Sequence, residues 1–183
     1  MGELEKLIEG NKKYIEGNLS QKDIKGMRDG VVNGQKPFVT IVTCSDSRVV
    51  PEYIFDAGIG ELFIVRAAGN ILDKAIIGSV EYGVGHLHTQ LLVILGHSKC
   101  GAVTAACSNH QEGNCIDYIM KKIKPAVKEE DVEGSIEENI RCVMKEIKRK
   151  SKTVKTLVKE GKLKIVGMKY SLETGEVREV SKK

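Results

Sequence analysis

The sequence predicts an α/β fold, in which a mostly parallel central sheet is covered by helices. Four short runs are almost continuously apolar, as in strands that are covered on both faces. These runs are FVTIV (38–42), LFIV (62–65), LLVIL (91–95) and LKIVG (163–167). Segments with helical spacing lie between them, and this alternation is typical of βαβ units joined in a parallel sheet.

Helices are predicted where apolar residues recur at helical spacing. An amphipathic arm opens the chain, built on Leu4, Leu7, Ile8 and Ile15 and ended by Gly17 and Asn18. Further helices are expected at 71–87, 102–107, 116–123 and 135–158, the last of them broken or bent. After the turn ETG, the alternating segment EVREV (176–180) predicts an edge strand. The loop-like stretch 124–135 is not a domain boundary, so residues 1–183 are expected to form one domain.

Composition favours a folded protein in the cytoplasm. The 183 residues are 41% hydrophobic and 30% charged, and the longest strongly apolar run is far too short to span a bilayer. The first residues lack the layout of a secretion signal, and five cysteines, an odd number, argue against a disulfide framework. Nine Lys or Arg residues lie within 145–164 without any aromatic, which favours a solvated helix face over a nucleic-acid surface. Neither nucleic acid nor membrane is therefore expected as a partner.

Chemically reactive side chains follow two of the predicted strands. Cys44, Asp46 and Arg48 come directly after the first strand at every second position, and such positions share one side of an extended chain. His97 and Cys100 follow the third strand in the same way. Ligands of parallel sheets bind beyond the carboxyl ends of the strands. If the first and third strands are neighbours, these side chains converge.

The residue types favour a zinc site. Two thiolates and one imidazole are ligands that zinc prefers, and three protein ligands leave a position open, as in catalytic sites. One Zn²⁺ per chain is therefore expected at Cys44, His97 and Cys100. Asp46 has two candidate partners, because a carboxylate can bind zinc or pair with the planar fork of Arg48. Only the paired state leaves the metal open to water, and the sequence does not decide between the two.

The spacing C-x-D-x-R (CSDSR) followed by H-x-x-C (HSKC) resembles the β-class carbonic anhydrases. The similarity extends to LIEGNKKYIEG (7–17), FIVRAAGN (63–70), AIIGSVEYGVGHL (75–87) and GKLKIVGMKYSLETGEV (161–177). The resemblance implies strand order 2-1-3-4 with an antiparallel fifth strand at the edge. It also implies zinc at Cys44, His97 and Cys100 and reversible hydration of carbon dioxide to bicarbonate by a zinc-bound hydroxide. In this account Asp46 and Arg48 act as the catalytic dyad.

The resemblance also implies a set of substrate-binding residues and an oligomer. Gln35 matches a glutamine that hydrogen-bonds the substrate from across a dimer interface. Phe63, Ala68 and Tyr82 match positions that line the carbon dioxide pocket, and Gly101 follows the metal cysteine as in relatives. A homodimer or homotetramer is therefore expected, with the active site at the dimer interface.

Two other functions stay open at this point. Relatives that hydrolyse carbon disulfide or carbonyl sulfide share the fold, and a zinc-stabilised scaffold that binds bicarbonate without turnover would share the metal ligands. Ala67 and Ala102 depart from the residues common in the family and could alter the shape of the pocket. No chemical role is expected for the remaining cysteines or for the H-x-H pair, which are Cys107, Cys115, Cys142, His86 and His88.

Overall fold

The computed structural model describes residues 2–108 and 111–181. Its strands are β1 (Val39–Thr43), β2 (Leu62–Arg66), β3 (Leu91–His97), β4 (Lys164–Tyr170) and β5 (Val177–Glu179). They form one sheet of order β2-β1-β3-β4-β5, in which all neighbours are parallel except the antiparallel pair β4 and β5. The predicted fold class and strand order are therefore confirmed. Each parallel strand continues past the carboxyl end predicted for it, and this extension places His97 inside β3.

Eight helices are found within the described ranges. They are α1 (Glu3–Ile15), α2 (Ile24–Gly30), α3 (Pro51–Ile54), α4 (Lys74–Glu81), α5 (Gly101–Cys107), α6 (Ile116–Ile123), α7 (Val132–Lys150) and α8 (Lys152–Lys159). Short 3-10 turns cover Ala68–Asn70 and Lys124–Ala126, and a π-helical turn, Tyr82–His86, follows α4. None of these helices combines the length and apolarity that a membrane crossing requires.

The predicted break in the long helix lies at Ser151. Its backbone is extended there, and its hydroxyl accepts a hydrogen bond from the N–H of Val154 at 3.0 Å, which caps α8. The same hydroxyl donates to Glu81 Oε1 at 2.6 Å, so it also ties the break to α4. In contrast, the loop predicted for 124–135 is shorter than expected. Helix α7 begins inside it because Asp131 caps the helix by accepting from the N–H of Gly134.

Apolar layers cover both faces of the sheet. On one face, Val42 of β1 and Ile94 of β3 pack in a cluster with Ile123 of α6 and Ile140 of α7. On the other face a second cluster lies under α1 and α3, and its members include Leu7, Val39, Ile41, Ile54 and Val93. Because β1 and β3 are covered on both faces, their sequences are apolar without alternation.

A buried side chain of the N-terminal helix joins three distant segments. Asn11, which is 4% exposed, donates through Nδ2 to the carbonyls of Ile54 (3.2 Å) and Gly175 (2.9 Å). Its Oδ1 accepts from the backbone N–H of Val177 at 2.8 Å. These hydrogen bonds are buried or half-buried, so the backbone groups would lose their partner if Asn11 were absent. Asn11 therefore fixes α1 against α3 and against the turn before β5.

Replacing this asparagine should therefore destabilise the fold. Asn11→Ala leaves two carbonyls and one N–H without their partner, and we expect the free energy of unfolding to fall by about 2 to 4 kcal/mol. In thermal unfolding at fixed protein concentration, this corresponds to a Tm lower by roughly 5 to 15 °C. The matched control is Lys12→Ala, which removes an exposed neighbouring side chain that pairs with Glu9 at 3.5 Å. Equal Tm values for the two variants would contradict the role given to Asn11.

Candidate metal centre

Cys44, His97 and Cys100 meet where β1 and β3 end. These strands are adjacent and parallel, with Thr43 opposite Leu95, so residues just beyond them share one edge of the sheet. Cys44 follows β1, His97 is the last residue of β3, and Cys100 directly precedes α5. All three side chains are buried, and their possible ligand atoms lie within 4.8 Å of one another. In the described residues this is the single group of His, Cys and acidic side chains with metal-binding geometry.

The orientation of His97 suits metal binding. Its Nδ1 lies 2.9 Å from the carbonyl oxygen of Ser98, and a carbonyl only accepts hydrogen bonds, so Nδ1 carries the proton. The other ring nitrogen, Nε2, is then left with its lone pair. Nε2 is buried and has no hydrogen-bond partner among residues 2–108 and 111–181. A buried acceptor without a partner is costly, and a cation between Nε2 and the two sulfurs would supply one.

The two thiols strongly affect one another. Contact with the Cys100 thiol lowers the pKa of Cys44 well below its usual range, although burial opposes this, and the N–H of Gly69 donates to Cys44 Sγ at 3.3 Å. The pKa of Cys100 is raised by its contact with Cys44 and by burial, because a second anion beside the first is unfavourable. A bound divalent cation would favour both thiolates at once, so the donor set fits zinc.

Asp46 and Arg48 are brought together by a tight turn. We expected continued extended backbone to align them, but β1 ends at Thr43 and the N–H of Val49 bonds the carbonyl of Asp46 at 3.0 Å. Within this turn Arg48 Nε donates to Asp46 Oδ1 (2.9 Å) and Nη2 donates to Oδ2 (2.7 Å). The backbone N–H of Arg48 also donates to Oδ1 at 3.0 Å. The pair is thus the bidentate one that the sequence left open.

The paired carboxylate faces the metal-binding group. Asp46 Oδ2 lies 3.8 Å from His97 Nε2, and the side chain of Asp46 is only 15% exposed. The hydrogen bonds from Arg48 hold the pKa of Asp46 well below its usual range, although burial opposes the shift. Asp46 is therefore an ionised acceptor at the edge of the site throughout the neutral pH range.

Arg66 organises the same turn, a role that the sequence reasoning missed. It ends β2, opposite Thr43 of β1, and its guanidinium donates to three backbone carbonyls. Nε reaches the carbonyl of Cys44 at 3.0 Å, while Nη2 reaches those of Asp46 (2.8 Å) and Val49 (2.9 Å). An arginine at the carboxyl end of a neighbouring strand was the only signal. Its targets are backbone atoms, which a sequence does not display.

Of the residues predicted to bind substrate, four lie in or beside the elements around the metal-binding group, and one does not. The rings of Phe63 and Tyr82 lie 5.9 Å apart, and Phe63 packs against the apolar cluster that contains Cys44 and Cys100. Ala68 opens the 3-10 turn before Gly69, and Gly101 is the first residue of α5. Gln35 differs from these. It is exposed between α2 and β1, and in the described part of the chain it makes no hydrogen bond to the metal-binding group.

The histidines and cysteines given no chemical role lie outside the metal-binding group. Cys107 and Cys142 are half-buried in α5 and α7, and Cys115 is exposed just before α6. His86 and His88 are both exposed. His86 stacks beside Tyr82, with ring centroids 4.6 Å apart.

Comparisons with known proteins agree on one family. A family model described as carbonic anhydrase matches residues 39–177. Carbonic anhydrase 2 of Mycobacterium tuberculosis is 34% identical over 184 aligned residues, which cover 92% of this chain and 87% of that protein.

Solved structures show the same relationship. The β-carbonic anhydrase CcaA superposes with a TM-score of 0.79 at 26% identity, covering 97% of this chain and 95% of that one. The β-carbonic anhydrase CafA of Aspergillus fumigatus also gives a TM-score of 0.79 at 26% identity, covering 87% of this chain and 83% of that one. With the sequence match over most of its length, the chain is an enzyme that belongs to the β-carbonic anhydrase family.

Proposed function

We propose that this chain catalyses the reversible hydration of carbon dioxide to bicarbonate and a proton, with one zinc ion held by Cys44, His97 and Cys100. The observation that carries the proposal is the buried Nε2 of His97, which has no hydrogen-bond partner in the described part of the chain. It lies within 4.8 Å of the sulfur atoms of Cys44 and Cys100. An ionised carboxylate held by arginine lies beside it. When bound there, zinc would supply Lewis-acid chemistry that lowers the pKa of a coordinated water to about 7.

Arg48 keeps Asp46 from becoming a fourth ligand. Both carboxylate oxygens of Asp46 are engaged by its guanidinium, so turning Oδ2 toward the cation would break a bidentate pair. While held, Oδ2 can still accept a hydrogen bond from the attacking water and orient its lone pair toward the substrate carbon. Because the pKa of Asp46 lies below its usual range, loss of activity between pH 9 and pH 5 would not come from protonating this carboxylate.

Apolar side chains beside the metal-binding group suit a small substrate without a net dipole. Phe63, Ala67 and Ala102 pack against the cluster that contains Cys44 and Cys100, and Tyr82 extends this surface through its contact with Phe63. Such walls bind carbon dioxide without competing for its oxygens, whereas bicarbonate is charged and is released more readily.

The proposal includes a dimer with the site at its interface. Gln35 is exposed and, among the described residues, makes no hydrogen bond to the metal-binding group of its own chain, so we assign it to the site of a second chain. Apolar side chains remain exposed on and beside α2 and α3, namely Ile24 (57%), Val32 (73%), Tyr53 (62%) and Ile59 (42%). Covering such a surface with a second copy would remove apolar area from water. A cytoplasmic location is part of the same proposal and rests on composition alone.

The proposed substrate is tested by comparing turnover of carbon dioxide, carbonyl sulfide and carbon disulfide. The purified, zinc-loaded chain should hydrate carbon dioxide in stopped-flow assays from pH 7 to 9 and should turn over carbonyl sulfide and carbon disulfide far more slowly. The reason is that sulfur is larger than oxygen, and the side chains proposed to line the pocket are aromatic and alanine side chains already packed against the apolar cluster. Preference for a sulfur compound would favour the hydrolase, and zinc binding without any turnover would favour the scaffold.

Removing the charge of Asp46 should separate catalysis from metal binding. Asp46→Asn keeps the shape of the side chain but weakens both its pair with Arg48 and its acceptor strength. We expect one zinc per chain to be retained while kcat/KM falls by about a hundredfold or more. The contrasting variant, Cys44→Ala, should lose zinc and activity together. Near wild-type turnover in Asp46→Asn, or full zinc content in Cys44→Ala, would contradict the assigned roles.

A further inference from the structure

One peptide group lies between the imidazole of His97 and a carboxylate on α7. The carbonyl oxygen of Ser98 accepts from His97 Nδ1 at 2.9 Å. The N–H of the same peptide group belongs to Lys99, and it donates to Glu133 Oε1 at 3.0 Å. The chain of contacts therefore runs from the carboxylate through one polarisable amide to the imidazole, and ends at the lone pair of Nε2.

Hydrogen bonds in such a chain strengthen one another. A negative charge that accepts from the N–H of an amide increases the electron density on its carbonyl oxygen. The oxygen then becomes a stronger acceptor for the Nδ1 proton, which makes Nε2 a better electron donor. Histidines that bind metals commonly donate directly to a carboxylate or a carbonyl, and that contact fixes the tautomer and the basicity of the ring. Here His97 donates to the carbonyl of Ser98, and the carboxylate of Glu133 acts on the same peptide group from its N–H side.

The residue that supplies the N–H of this peptide group, Lys99, has an unfavourable backbone conformation. Lys99 has φ +53°, a left-handed value that costs a non-glycine residue about 1 kcal/mol or more. Surrounding contacts must therefore hold the segment between His97 and Cys100 in place. Among the hydrogen bonds of residues 2–108 and 111–181, the one from Lys99 N–H to Glu133 acts on the peptide group that accepts from His97.

Other contacts anchor the segment without touching that peptide group. The N–H of Ser98 donates to the carbonyl of Tyr170 at 2.8 Å, and its hydroxyl donates to Glu173 Oε2 at 3.0 Å. Lys99 Nζ pairs with Glu173 Oε1 at 2.6 Å. Glu173 thus brings the same charge as Glu133 to the same segment, but its contacts with Ser98 and Lys99 are with their side chains.

Water and nearby cations weaken the electric field that Glu133 exerts on the peptide group. Its side chain is 48% exposed, and Oε2 pairs with the nearly buried Lys169. Lys169 also lies 3.7 Å from Glu137, which in turn pairs with Arg178 and Arg141. Water and these cations reduce the field at the peptide group, so the effect on His97 should be modest.

We propose that Glu133 is a positioning residue for the metal site, which holds and polarises the Ser98–Lys99 peptide so that His97 presents a stronger Nε2 donor. This inference rests on the assignment of His97 as a zinc ligand in the proposed function. It adds to that assignment a carboxylate from α7 that lies outside both metal motifs. The role belongs to Glu133 and not to its neighbours on the same ion-pair network.

Zinc affinity of the full-length chain tests the role. Affinity is measured by competition with a chromophoric chelator, without carbon dioxide, for the wild type, Glu133→Ala and Glu133→Gln. We expect Glu133→Ala to bind zinc about tenfold more weakly, at the low end for partners of a metal-binding histidine. Glu133→Gln keeps an oxygen that can accept from Lys99 N–H, so its affinity should lie between the other two. In the zinc-loaded proteins, the Nδ1 proton of His97 should resonate further upfield in Glu133→Ala than in the wild type.

The matched control is Glu173→Ala, which removes an equal charge from the same segment. It should change zinc affinity by about twofold at most, as for an exposed ion pair. Circular dichroism of each metal-free variant checks that the fold is kept. Affinity of Glu133→Ala within twofold of the wild type, or an equal loss in Glu173→Ala, would overturn the inference while zinc binding and the proposed function stand. A wild-type chain that binds no zinc would overturn the proposed function, and this inference with it.

Discussion

The bidentate pair between Arg48 and Asp46 determines whether the carboxylate of Asp46 is free to compete for a cation in the buried metal-binding group. Asp46 Oδ2 lies 3.8 Å from His97 Nε2, close enough that a free carboxylate would compete for any cation bound there. With both oxygens held by one guanidinium, the carboxylate remains an acceptor and leaves a coordination position open. Under the proposed function, the difference between a closed structural site and a catalytic one therefore rests on two hydrogen bonds from the side chain of Arg48.

The sheet makes this arrangement rigid. β1 and β3 are adjacent, parallel and covered on both faces, so the positions of Cys44 and His97 follow from packed strands rather than from mobile loops. Arg66, from the strand on the other side of β1, then fixes the turn after Cys44 through three backbone carbonyls. Sites supported in this way hold their geometry before substrate arrives, which reduces the reorganisation needed during the reaction.

The fold class could be predicted because apolar runs are visible in a sequence. The strand order came from the family resemblance, and the convergence of Cys44, His97 and Cys100 depends on that order, because β1 and β3 must be neighbours. The pairing of Asp46 with Arg48 could be proposed, but for a partly wrong reason, since a turn aligns them and not an extended strand. Asn11 and Glu133 gave no usable signal, and Arg66 gave only its position at the carboxyl end of a strand. Their partners are backbone groups far away in the chain, and only the folded structure brings them together.

The short helices α2 and α3 were missed because four to seven residues show too little periodicity.

We propose that one zinc ion in the group formed by Cys44, His97 and Cys100 supports carbon dioxide hydration. The most direct test is to add zinc stepwise to the metal-free chain and to measure the hydration rate and the bound zinc in the same samples. We expect the hydration rate to rise in proportion to bound zinc and to reach a plateau at one zinc per chain. Hydration at full rate in the metal-free chain, or saturation with zinc without any gain in rate, would contradict it.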